Sequence, residues 1–170
     1  MTNQFEAQDK RRTVITDKQQ ADFVLLPPSF VPPFDQVTSA SVVPFMHDGQ
    51  IVAVEENRGL DIPGGHVQVG ETSFEETARR ETLEEIGATL EELKVVAIIQ
   101  SNYYGNEPEK LTYLVVYTAL VKSLNEDPSI VAKRSVLDKA EFLSLYGPAF
   151  KQQMETLISE SYAICFENTQ

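Results

Sequence analysis

The sequence predicts an α/β domain in which a mixed sheet lies between helices. Three observations carry that prediction. Runs of β-branched and apolar residues flank one strongly helical segment, two further helix-patterned stretches end the chain, and 170 residues suit a single core. Strands and helices interleaved over this length bury their apolar faces best as stacked layers.

Residues 1–12 are polar and read as a flexible tail, leaving 13–170 as one domain. Leu25 to Phe34, LLPPSFVPPF, carries two Pro-Pro pairs that fix φ and remove amide donors, so a Pro-rich arm over 24–34 should be extended. Phe30, Val31 and Phe34 are apolar enough to pack that arm onto the surface, a reading preferred to a ligand for a partner domain. Val37 to Met46 and Ile51 to Glu55 read as paired strands, because Asp48-Gly49 supplies the positive φ of a tight hairpin. Pro44 has no amide proton, which predicts a sheet edge or a bulge there. Ser73 with Glu76, and Thr72 with Glu75, form two offset capping boxes that start a helix, and Gly87 ends it.

Leu93 to Gln100 and Leu111 to Val121 read as strands joined by the loop SNYYGNEPEK. Asp138 with Glu141 has the capping-box spacing of a short helix that Gly147 closes, and Pro148 suits the first turn of a last helix. There Phe150, Met154, Leu157 and Ile158 recur on one face, as a core or an interface requires. The arm and this stripe offer surfaces either for a homodimer, towards which the reading leans slightly, or for packing within one chain.

A formal net charge of −12 disfavours a nucleic-acid polymer as partner, since such binding rests on Lys and Arg displacing counterions. The N-terminus lacks the apolar core of a secretory signal, and the most apolar run, Leu111 to Val121, is too short to span a bilayer. The single cysteine, Cys165, has no intrachain partner and reads as a buried or idle thiol. A cytoplasmic protein without membrane contact is therefore expected.

The chemistry concentrates in GGHVQVGETSFEETARRETLEEIG, Gly64 to Gly87. Within its helix Glu81, Glu84 and Glu85 stand at i, i+3 and i+4, so three carboxylates project from one face. Two carboxylates about 6 Å apart repel by roughly 3 kcal/mol at an effective dielectric of 20, and by under about 1 kcal/mol in water. A solvated face tolerates such a cluster, and for Glu-x-x-Glu-Glu by itself that is the ordinary reading. A partly buried one calls for a cation, and Mg²⁺ takes hard oxygen ligands of this kind. His66, beside the glycines, reads as a packing or hydrogen-bonding residue.

The combined pattern resembles the Nudix hydrolase signature. Its roles fall on Gly65, Glu71, Arg80-Glu81, Glu84-Glu85 and Gly87, with every fixed letter present. The resemblance implies a Nudix-like α/β/α sandwich and metal-dependent hydrolysis of a phosphoanhydride in a nucleoside-diphosphate-linked small molecule. It implies Mg²⁺, or Mn²⁺, held by Glu81, Glu84, Glu85 and the Gly64 carbonyl, with Arg80 and Glu71 orienting the acids around Glu84 and Glu81. The general base lies either in the helix or on a later loop, where Glu107 and Glu109 are candidates. Tyr103 and Tyr104 of that loop are candidates to stack on a base. The alternative is a binding module of the same fold that senses a nucleotide or sugar nucleotide without turnover. Substrate choice among nucleoside triphosphates, nucleotide sugars, ADP-ribose and dinucleoside polyphosphates stays open.

The sequence departs from the family pattern in its spacing. Eight residues, Thr72 to Arg79, stand between Glu71 and Arg80 where the family has seven. Counting back from Arg80 puts the helix cap at Ser73 and the extra residue at Thr72, which leaves the helical glutamates in register but unsettles Glu71. Thr82 and Ala88 replace larger apolar residues, which concerns packing.

Overall fold

The computed structural model describes residues 12–15, 20–102 and 111–168. Strands β1 (Arg12–Ile15) and β2 (Gln20–Leu26) form an antiparallel pair at the start. A 3-10 turn over Phe34–Gln36 leads into β3 (Val37–Phe45), β4 (Ile51–Glu56), β5 (Gly59–Asp61) and β6 (Gly64–His66). Helix α1 (Phe74–Ile86) follows, then β7 (Ala88–Leu90), β8 (Lys94–Ser101) and β9 (Thr112–Leu124). Next come the short helix α2 (Pro128–Val131), β10 (Arg134–Leu137), α3 (Lys139–Leu145) and α4 (Lys151–Tyr162), which runs on into a π-helical turn over Ala163–Glu167.

The main sheet has the order β1-β2-β8-β9-β3-β4-β10. β3 and β9 run parallel and the other pairings are antiparallel, so the sheet is mixed as predicted. Successive residues of a strand face opposite sides, and here both sides are covered. Val42, Val52 and Val115 belong to the core beneath α1, with Ala78 and Ile86. Val43, Ile51 and Val116 belong to the core beneath α3 and α4, with Phe142, Leu157 and Ile158. Burial on both faces explains why β3, β4 and β9 read as continuous apolar runs. Each fully buried Leu, Ile or Phe adds roughly 1.5–3 kcal/mol against the entropy of ordering the chain.

Several local expectations are corrected. β3 and β4 touch as a ladder only at Phe45 and Ile51, while β6 pairs with β3 from Ser39 to Ser41. Pro44 therefore lies inside the sheet, paired with Ala119 of β9, and no bulge occurs there. The Val42 amide donates to Pro63 at 2.9 Å, and strand alternation points residue 44 the same way, into the interval between β6 and β4 where no ladder partner stands. The missing proton thus falls at a gap within the sheet. Asp138 makes no side-chain cap bond to α3, and Gly147 (φ −59°) is extended and precedes the 3-10 turn Pro148–Phe150 rather than closing the helix left-handed.

Arg12, read as tail, opens β1, and Val24 to Leu26, read as arm, pair with β8. The rest of the arm packs only in part: Phe30 lies 5.5 Å from the Tyr113 ring and Phe34 stacks on Phe74 at 4.9 Å, but Phe34 stays 62% exposed and Val31, at 86%, does not pack. The C-terminal stripe is used within the chain, since Met154, Leu157 and Ile158 are buried and Phe150 packs edge-on against Phe23 at 5.5 Å. It offers no face to a second copy. Cys165 is half-buried, with its sulfur 3.4 Å from the Thr118 hydroxyl and its thiol pKa pushed up by burial. Among the described residues no helix is long and apolar enough to cross a membrane.

Candidate active site

The site forms where β6 passes in front of α1. At Gly64 a Cβ would collide with the Ser41 side chain and the backbone of Ala40 and Ser41, so glycine lets β6 lie this close to β3, and at Gly65 a Cβ would meet the Glu81 carboxylate and displace it. Helix α1 starts where the sequence places it. Ser73 is extended and its hydroxyl accepts from the Glu76 amide at 3.2 Å. The second box is replaced by another arrangement, in which the Glu76 carboxylate accepts from the Thr72 amide (2.7 Å) and hydroxyl (3.0 Å). Gly87 (φ +66°) ends the helix left-handed, its amide donating to Leu83. The helix is continuous between these caps, so the additional residue is absorbed before Ser73. Thr82, buried, satisfies its hydroxyl on the Ala78 carbonyl at 2.7 Å, and Ala88 is buried in β7.

Arg80 ties the parts together. Its guanidinium donates to Glu71 (2.6 Å), Glu81 (2.6 Å), Glu84 (3.2 Å) and the His66 carbonyl (2.9 Å). Glu71 thus reaches Arg80 despite the longer spacing. It also accepts from the Gln68 amide (2.8 Å) and the Thr77 hydroxyl (2.6 Å). Arg80 above all, then these two donors, hold its carboxyl down at about 2, and Glu71 in turn pushes the Arg80 pKa up.

Glu85 has the opposite environment. Burial pushes its pKa up to about 7, the Gly64 amide at 3.0 Å opposes this, and the charges of Glu81, Glu56 and Asp61 raise it further. Asp61 is itself raised by burial, although the Ile62 amide and Arg58 act against this. Glu84 is the outermost of the three helical acids, with its side chain 57% exposed. The structure thus brings Glu71, Arg80, Glu81, Glu84, Glu85 and Gly64 together. What it shows of Gly64 is the amide facing Glu85. His66 bonds through Nδ1 to the Ser39 hydroxyl at 3.2 Å. Tyr103, Tyr104, Glu107 and Glu109 lie outside the described residues.

Glu56, Asp61 and Arg58 are the site residues that sequence reasoning missed. They flank the β4–β5 turn, and only the return of that turn towards α1 makes them relevant. Arg58 bonds both Glu56 (2.7 Å) and Asp61 (3.1 Å). Beside them a cavity of about 500 Å³ runs between the sheet and α4, with Gly64, His66, Ser41, Tyr146, Phe150 and Met154 in its walls.

Among the described residues no three acidic, His or Cys side chains form a ready-made metal cage. The donor set nevertheless fits Mg²⁺, which keeps several waters and binds through one or two carboxylates plus substrate phosphate. Glu85 is close to Glu81, Glu56 and Asp61, and of those three Arg80 bonds Glu81 while Arg58 bonds the others. No cation among the described ion pairs reaches Glu85 itself.

A family model described as NUDIX domain matches residues 35–153. Among solved structures, a mutant of the Bacillus subtilis pyrophosphohydrolase BsRppH is similar over 88% of this chain and 98% of its own, with a TM-score of 0.63 and 22% identity. The NUDIX domain of Shewanella oneidensis NrtR, complexed with ADP ribose, matches 79% of this chain and 91% of its own (TM-score 0.57, 18% identity). The C. elegans Ap4A hydrolase matches 75% of this chain and 98% of its own (TM-score 0.55, 18% identity). At these identities the structural likeness speaks for a shared fold.

Proposed function

The chain belongs to the Nudix family, as an enzyme of pyrophosphohydrolase type, and from that premise we propose that it uses Mg²⁺ or Mn²⁺ to cleave a phosphoanhydride in a nucleoside-diphosphate-linked small molecule. One observation carries the reading. Glu85 is held by the Gly64 amide among other acids, beside a cavity large enough for a nucleoside, where a cation and a polyphosphate would each neutralise the other's surroundings.

Glu85 and Glu81 are the primary ligands in this reading, with Glu84 and the Gly64 carbonyl completing the set. When bound there, a divalent cation would screen the phosphate charge and would make a water more acidic for attack on phosphorus. Arg80 donates to one oxygen of Glu81, and this reading gives the other oxygen to the metal. Glu71, fixed by three donors, keeps the Arg80 fork oriented and so acts as a positioning residue. The proton from the attacking water goes to a helical glutamate, or to Glu107 or Glu109 of the later loop. His66 and Ser39, joined by their hydrogen bond, offer polar edges to a nucleoside, while Phe150 and Tyr146 offer it aromatic surface.

The test is a panel of a nucleoside triphosphate, a nucleotide sugar, ADP-ribose and a dinucleoside polyphosphate, each with Mg²⁺, with products identified by mass. Cleavage that leaves phosphate on both halves, with ¹⁸O from water in one of them, is expected for at least one member. Mg²⁺-dependent binding of panel members without any turnover supports the sensing module instead.

A pH dependence follows from Glu85. Its folded pKa of about 7 exceeds the ordinary 4.5, so the metal-free fold binds the proton more tightly and loses stability as pH rises from about 4.5 to about 7. Mg²⁺ needs the carboxylate, and the proton competes with it below about pH 7. Saturating metal at pH 8 should therefore raise the Tm more than the same concentration does at pH 6. Equal shifts at both pH values would remove Glu85 from the metal site.

A further inference from the structure

Two of the helical glutamates, Glu84 and Glu85, stand beside the place where two cavities adjoin. The first, about 500 Å³, contains Gly64 in its wall, and the second, about 780 Å³, contains Glu85. The 3.0 Å bond between those residues lies where the two meet, and Glu56 and Arg58 border both. Their chemistry differs. The first carries the aromatic side chains of Phe23, Tyr146 and Phe150, whereas the wall of the second has no aromatic residue and combines Asn57, Ser129, Glu84 and Lys133 with Val54 and Ile130.

We propose that the second cavity receives the half of the substrate beyond the scissile anhydride, and that Lys133 selects substrates whose far half is anionic, a further phosphate rather than a neutral sugar. This inference rests on the hydrolase reading and extends it to substrate class. Lys133 and Arg58 are the cations in the wall of this cavity. The Arg58 guanidinium is engaged by Glu56 and Asp61, whereas Lys133 enters none of the ion pairs among the described residues. Its backbone is fixed, since its carbonyl accepts from the Glu55 amide at 2.7 Å and its amide donates to Ile130 at 3.0 Å. The backbone of Lys133 is therefore held in place, and the residue shares the wall of this cavity with Glu84 and Glu85 of α1.

In a chain of net charge −12 the far half of a polyphosphate meets repulsion nearly everywhere. Lys133 supplies attraction where the phosphate tail leaves the metal site. A solvent-exposed lysine about 4 Å from a phosphate changes affinity by roughly fivefold to tenfold, and a neutral sugar gains nothing comparable. The aromatic cavity then takes the nucleoside, which fixes the direction in which the substrate lies.

The experiment compares a nucleoside triphosphate with a nucleotide sugar of the same base, in wild type, Lys133→Ala and Lys133→Arg. The ratio of their kcat/KM values should fall about fivefold in Lys133→Ala, through KM, and recover in Lys133→Arg. A ratio that stays constant overturns the inference. Binding is read separately by calorimetry with a methylene-bridged nucleoside triphosphate and Mg²⁺, which reports on Lys133 even where nothing is turned over. Kd should rise by a similar factor in Lys133→Ala, and an unchanged Kd overturns the inference. Lys133-dependent binding of the analogue without turnover of any member of the four-substrate panel supports the anionic subsite and overturns only the hydrolase reading.

Discussion

Glu85→Gln should lower kcat by at least about a hundredfold while the folded chain holds or gains stability. The two effects separate because the carboxylate is needed for chemistry and is unfavourable for the fold. The carbonyl oxygen of the introduced amide can still accept from the Gly64 amide, so the 3.0 Å link between β6 and α1 survives. The charge that burial and the acids around it push towards protonation disappears. At pH 8 the metal-free wild type keeps that charge, and the neutral side chain should match or exceed its Tm. Catalysis behaves differently, because an amide oxygen is a weaker ligand and cannot balance the cation charge. Changes one shell further from a metal already cost about 10–100-fold, and a ligand should cost at least the upper value. Steady-state turnover with Mg²⁺ and a thermal melt of the same sample test both halves. Equal turnover in the two proteins refutes the ligand assignment, and a collapsed melt refutes the separation of chemistry from fold.

The features legible in the sequence are those that depend on neighbours in the chain. Helix α1 was readable because Ser73, Glu76 and Gly87 act within one turn of its ends, and Glu81, Glu84 and Glu85 share a face whatever surrounds them. Strands β3, β4, β8 and β9 were readable because their apolar runs are long. The three-residue strands β5, β6 and β7 were not: Gly64–His66 has no β-branched residue, and its pairing with Ser39 to Ser41 exists only because β4 leaves β3 after Phe45. That departure also puts Pro44 at an internal gap, which a local rule about proline could express only as an edge or a bulge. Glu56, Arg58 and Asp61 read as ordinary turn charges because their meeting with Glu85 is tertiary. Glu71 shows the reverse, since the extra residue before Ser73 unsettled it in the sequence while the loop absorbs the change and delivers its carboxylate to Arg80. The C-terminal stripe was correctly apolar, but periodicity cannot say whether such a face meets its own sheet or a second chain.

Arg80→Ala should destabilise the fold by about 1–3 kcal/mol at pH 7, and this loss should shrink in acid. Arg80 is 20% exposed, and its partners Glu71 and Glu81 are 13% and 14% exposed. These part-buried pairs stand between exposed ones, worth about 0–1 kcal/mol, and buried ones, which cost about 3–5 kcal/mol to break, so removing Arg80 should cost about 1–3 kcal/mol. The bond to the more exposed Glu84 adds little, roughly 0–1 kcal/mol. For a domain of this size the change corresponds to a Tm lowered by roughly 2–12 °C. The sign with pH follows from Glu71, whose folded pKa of about 2 lies below the ordinary 4.5 chiefly because of Arg80. A depressed carboxyl contributes stability that is fully present above about pH 4.5 and lost as pH falls towards about 2. Without Arg80 most of that contribution is absent at every pH, so the difference between wild type and variant narrows over this interval. Arg80→Lys should recover only part of it, because an ammonium cannot reproduce a planar fork reaching Glu71, Glu81 and the His66 carbonyl together. Urea unfolding at pH 7 and pH 3 measures the difference directly. An unchanged difference between the two would mean that Arg80 stabilises the chain through its packed methylenes and its bond to His66, with the carboxylates contributing nothing.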